Sequence, residues 1–205
     1  MKEKLFNPFL RIAGMKAFVI GSAFLTASTL LGWIFQTNFD GALDIHFGGK
    51  ESLEKHIVMN LLNVGSLVLV FYVLAVSITR GKTRFVDVLG TVTLARFPLI
   101  LAPWLNIGQI NSKIGDKIIY AMRDKIADPT LSAVRCQPCS VSAFEYFYLV
   151  LSMVIILLLI VWYVALLYKA YTVSSNLKGT KGIISFIAGV ILAEALSSIL
   201  IHYLS

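Results

Sequence analysis

The chain predicts an all-α, polytopic membrane fold on three observations: five apolar runs, a shortage of charge, and a lopsided distribution of basic residues. The runs are Ala17–Phe35, Leu61–Thr79, Val88–Gly108, Tyr146–Tyr168 and Gly182–Leu204; three carry no charged residue and two carry one each. Each is close to the ~20 helical residues that cross a hydrocarbon core. Hydrophobic residues make up 58% of the 205 and charged residues 14%, against about 25% charged in a soluble domain. In lipid, backbone N–H and C=O groups must pair within their own segment, which favours helices. The short alternating strands of a barrel are not visible. The expectation is one five-helix membrane-embedded domain over residues 1–205.

The first run follows a basic segment, Met1–Lys16, and is too long for the apolar core of a cleavable signal. It is expected to stay as a membrane helix. Leu5-Phe6-Asn7-Pro8-Phe9-Leu10-Arg11-Ile12 mixes apolar bulk with charge, as a tether or as a stretch lying in the headgroup layer.

Between the first and second runs, Gln36–Asn60 carries Asp40, Asp44, Glu51 and Glu54 with His46 and His56. Glu51, Lys55 and Met59 share a helix face, so a turn or two of helix should lead into the second run. Asp44 and His46 lack a ligand pair at diagnostic spacing, so the loop reads as solvated and no metal is expected.

Arg80, Lys82 and Arg84 fill the short link before the third run, and Lys169, Lys178 and Lys181 the link before the fifth. With Lys2, Lys4, Arg11 and Lys16, ten of the 18 basic residues fall on one side. Positive-inside bias places that side and the N-terminus in the cytoplasm, and the C-terminus outside. The net charge of +7 then reads as topology, with anionic lipid headgroups as partners on this basic face. It is not a nucleic-acid footprint, since no basic stripe interleaves with aromatics.

The third run contains Arg96, and Pro98 and Pro103 break its helix. Thr91 and Thr93 are placed to rebond freed carbonyls. The fifth run carries Glu194 beside a small-residue stripe, Ser185, Gly189 and Ala193, suited to close helix packing. Arg96 and Glu194 fall at similar depth if both helices run the same way. They are expected to face each other or share a polar cavity, because an intramembrane charge seeks a partner. The pair reads as a structural tie or as a relay for protons, ions or substrate.

After the third run, Ile110, Ile114, Ile118, Met122 and Ile126 recur every four residues among charges, predicting an amphipathic helix that ends at Asp128-Pro129. Cys136-Gln137-Pro138-Cys139 follows, with the chain's two cysteines. A local disulfide is the simplest state outside the cytoplasm; a redox-active pair is the sharper reading. Ser198 and His202 are one turn apart, but no nucleophile elbow accompanies them.

Asn7-Pro8-Phe9, Arg11-Ile12-Ala13-Gly14, Asp87-Val88-Leu89-Gly90-Thr91 with Ala95-Arg96-Phe97-Pro98, and Tyr168-Lys169-Ala170-Tyr171 through Asn176-Leu177-Lys178-Gly179 to Ala193-Glu194 resemble the Yip-domain family of five-helix membrane proteins. The bacterial branch is the nearer match. The resemblance implies a five-helix layout with the N-terminus in the cytoplasm, and a bacterial inner membrane as the location. The longer N-terminal region and acidic-aromatic motif of eukaryotic members are missing, so a GTPase partner is not implied.

The function expected is that of an integral membrane scaffold or membrane-organising protein, without catalysis or cofactor, with an unknown protein partner. A small transporter or channel using Arg96 and Glu194 is one alternative. A thiol–disulfide membrane oxidoreductase using Cys136 and Cys139 is another.

Overall fold

The computed structural model describes residues 8–127 and 141–204. Cys136, Cys139 and the predicted stop at Asp128-Pro129 lie outside the described residues, as does the chain before Pro8.

A 3-10 turn, Pro8–Leu10, precedes α1 (Gly14–Phe35). Two short antiparallel strands, β1 (Thr37–Asn38) and β2 (His46–Phe47), fold the following loop into a hairpin, with Thr37 opposite Phe47 and Asn38 opposite His46. Then come α2 (Leu53–Thr79), α3 (Phe85–Ala95), a 3-10 segment (Phe97–Gln109), α4 (Ile110–Ala127), α5 (Ala143–Ser175) and α6 (Gly179–Leu204). Five stretches are long and apolar enough to cross a membrane: Gly14–Phe35, Leu53–Thr79, Phe85–Met122, Ala143–Ser175 and Gly179–Tyr203.

Helix ends are set by local chemistry beyond the apolar runs. α2 starts at Leu53 and not at Leu61 because Ser52 caps it, accepting from the Lys55 N–H, and Glu51 pairs with Lys55 at 3.0 Å. α5 starts at Ala143 on a capping box, in which Ser142 and Glu145 bond each other's backbone N–H. α1 and α2 end on residues in the left-handed conformation, Gln36 and Arg80.

The helices pack in two close pairs bridged by α5. α1 lies on α3 with backbone nearly touching backbone: a Cβ added at Gly21 would sit 2.5 Å from the Leu94 nitrogen, and one at Gly90 would collide with the Gly14 carbonyl. α2 lies on α6, where Gly189 faces the Phe71 ring. The small-residue stripe on α6, Ser185, Gly189 and Ala193, is buried. Phe71, Tyr171 and Phe186 stack together, with ring centroids 4.9 to 6.2 Å apart, and join α5 to this pair. Outward residues such as Leu157, Leu158, Ile184 and Ile191 are exposed, as a lipid-facing surface requires.

α4 is helical over Ile110–Ala127. Of the four-residue apolar repeat, Ile114 is buried and Ile118 half-buried, while Ile110 and Met122 stay exposed.

The glycine contacts make a direct prediction. Gly21→Ala should destabilise the protein by about 1–3 kcal/mol, because the Leu94 backbone cannot move aside cheaply. Gly65→Ala, in α2 with nothing within 4 Å, should be neutral or stabilising by up to about 1 kcal/mol through helix propensity. Thermal unfolding of both variants in detergent measures the difference.

Candidate functional site at the helix break

α3 ends where Pro98 removes the N–H that would continue it, and Arg96 sits on the last turn with φ −75° and ψ −4°. The chain goes on as 3-10 helix through Pro98 and Pro103, both buried, and loses helical geometry at Asn106, Ile107 and Gly108. Thr91 and Thr93 do not rebond the break: their hydroxyls donate to Asp87 O and Leu89 O one turn back, each at 2.7 Å.

Arg96 is buried, with 4% of its surface exposed. Its Nη2 donates to Asn60 Oδ1 of α2 at 3.2 Å, and its guanidinium lies 5.8 Å from the Tyr163 ring centroid on α5. His56, Asn60 and Asn63 fall at i, i+4 and i+7 on one face of α2, and all three are buried. The loop reading of His56 as solvated is therefore corrected: α2 starts early enough to carry it inside.

Glu194 has a different task. Its Oε2 accepts from the Leu43 N–H at 2.8 Å, and Ser197 Oγ accepts from the Ala42 N–H at 3.2 Å. From the other side, Asn63 Nδ2 donates to Phe39 O at 2.7 Å. Side chains of α2 and α6 thus hold the main chain of the loop, and Phe39 and Ala42 are each 1% exposed inside the bundle end. An Arg96–Glu194 ion pair is not formed among the described residues. The folded-back loop takes the carboxylate and Asn60 takes the guanidinium, while Tyr163 stands within electrostatic reach of both charges.

Asn106 secures the far end of the break. Fully buried, it donates to Phe35 O and Gln36 O at the end of α1 and accepts from the Asn111 and Ser112 N–H groups at the start of α4. Backbone groups left over at two helix ends are satisfied by this one side chain.

On the hairpin, Asp40, Asp44 and His46 bring donor atoms within 4.8 Å of one another. His46 Nδ1 is already committed to Asp40 Oδ2 at 2.5 Å. That hydrogen bond raises the imidazole pKa above its ordinary 6.5, against an opposing effect of partial burial. At the opposite end of the bundle Arg80, Lys82, Arg84, Lys169, Lys178 and Lys181 are all exposed, none in an ion pair among the described residues. Ser198 and His202 are exposed too, and His202 rests against Tyr203.

Sequence reasoning missed Asn60, Asn63, Asn106, Tyr163 and Ser197. One signal was there to read: His56, Asn60 and Asn63 recur at helical spacing into an apolar run. Comparison of the chain with protein-family models, with curated proteins and with solved structures finds no match.

Two predictions follow from this geometry. Asn60→Leu removes the Arg96 acceptor and should cost about 1.5–3 kcal/mol, the range for a hydrogen bond to a charged group. Adding Arg96→Met should recover most of that loss, because the buried charge goes with its partner; melting curves of the single and double variants test it. For His46 the folded pKa is raised, so its contribution is full below 6.5 and lost as pH rises through the raised value. Amide exchange at Thr37–Phe47, corrected for intrinsic rates, should quicken over that interval, and Asp40→Asn should flatten the response.

Proposed function

We propose that this protein is an integral membrane scaffold or membrane-organising protein without catalysis of its own. We place it as a bacterial member of the Yip-domain type, in the inner membrane, with the N-terminus cytoplasmic, the C-terminus outside and α4 along the outer surface. One observation supports this above the others: Glu194, the charge a relay would need, is spent holding the main chain of the loop that folds into the bundle end. The exposed basic residues on the two short links leave a face for anionic lipid headgroups or a protein partner.

A second reading, a small transporter or channel, draws on a separate observation. His56 Nδ1, Asn63 Oδ1 and Ser66 Oγ of α2 are buried without a hydrogen-bond partner among the described residues, and groups of this kind can hold water.

Proton and cation flux in proteoliposomes separates the two. The scaffold reading expects no flux above protein-free vesicles, and expects Glu194→Gln to lower stability by about 1 kcal/mol as a charge-assisted bond becomes neutral. Wild-type flux that disappears in folded Glu194→Gln protein would sink that reading and establish transport.

A further inference from the structure

A hollow of about 400 Å³ lies at the basic end, where α5 turns into α6. Its polar wall is Lys169, Thr172, Asn176 and Lys178, and its apolar wall includes Leu10 and Leu177. We infer that this hollow binds the phosphate headgroup of an anionic phospholipid, with the lipid's glycerol and upper chain against Leu10 and Leu177. The inference rests on the proposed contact between the basic end and a bilayer surface.

Charge complementarity carries it. Lys169 and Lys178 are exposed and form no ion pair among the described residues, and no carboxylate lines the hollow. Lys169 Nζ lies 6.0 Å from the centroid of the Tyr168 ring, which draws its ammonium toward the hollow's Tyr168 side. The Asn176 amide supplies a neutral N–H donor of the kind that fills a phosphate's remaining lone pairs, while Thr172 donates its hydroxyl to the Tyr168 carbonyl at 2.9 Å and only lines the wall. Gly179 at the rim begins α6, whose first turn contains no acid and whose first N–H groups have no intrahelical acceptor.

The apolar wall argues for a lipid over a free anion. Leu10 is 71% exposed, yet its neighbour Phe9 is 1% exposed and anchors the segment in the core. A leucine fixed in the open beside two lysines matches the boundary between headgroups and acyl chains, and fits poorly with bulk water.

The test is native mass spectrometry of the full chain in a neutral detergent, titrated with short-chain phosphatidylglycerol or phosphatidylcholine. Phosphatidylglycerol should bind at least several-fold tighter, and Lys169→Gln with Lys178→Gln should weaken it about tenfold, in line with the attraction of two surface lysines to anionic lipid. Arg80→Gln with Lys82→Gln makes the same charge change on the neighbouring link and should alter binding less than twofold. Equal losses in the two double variants would mean diffuse attraction and overturn the site. Glycerol phosphate competing as well as the lipid would overturn the lipid assignment. Should the lysine variant fail to fold, equal binding of the two lipids to wild type is sufficient to reject the proposal.

Discussion

A guanidinium kept from water must have partners, and the position of Arg96 makes that requirement organise the bundle. It stands where α3 stops, so the helix that carries it cannot supply those partners. Asn60 of α2 provides the acceptor and Tyr163 of α5 the aromatic face. Three separate elements are thereby fixed around one residue, and the break at Pro98 is held where it is. Breaking such an arrangement on one side costs more than the bond itself, because the charge remains buried.

The loop between β1 and β2 follows the same logic with main-chain groups. A loop entering the bundle end brings peptide N–H and C=O groups into a place where water is scarce, and each needs a partner. Asn63, Glu194 and Ser197 meet Phe39 O, Leu43 N and Ala42 N respectively. Phe39 then fills the apolar space that the loop covers. Asn106 performs the equivalent task between α1 and α4. Asn63, Asn106 and Glu194 thus go to irregular backbone, while hydroxyls such as those of Ser28, Thr79, Thr93 and Ser175 bond helix carbonyls three or four residues back.

The membrane spans were legible in the sequence because length and apolarity mark them one segment at a time. Leu61–Thr79 recovered the C-terminal part of α2 and Tyr146–Tyr168 the middle of α5, and the helix starts were lost because caps at Ser52 and Ser142 lie in polar sequence. The kink near Pro98 could also be read, since proline lacks a donor wherever it sits. The partners of Arg96 and Glu194 could not. Matching depth along two helices gives a height and no azimuth, and the loop that captures Glu194 looked solvated from its four acids and its glycines. Asn60 was closest to being readable, as one of three polar residues at helical spacing. Tyr163, in the middle of a Leu-, Ile- and Val-rich run, gave no sign of what it faces.

The unsatisfied atoms on α2 raise the remaining physical question, why an apolar chain keeps them. Each buried donor or acceptor without a partner costs about 1–3 kcal/mol, and His56, Asn63 and Ser66 each present one. Leucine at His56 would fill similar space without that cost, so stability alone does not account for it. Register does. The rest of α2 is apolar on most sides, and in lipid an apolar helix has little to fix its rotation against its neighbours. A polar face at i, i+4 and i+7 admits one rotation, the one that brings Asn60 to Arg96 and Asn63 to the Phe39 carbonyl. Any other rotation would turn these amides toward hydrocarbon. The polar face of α2 therefore sets the helix's rotation, and it also fixes where the loop must land.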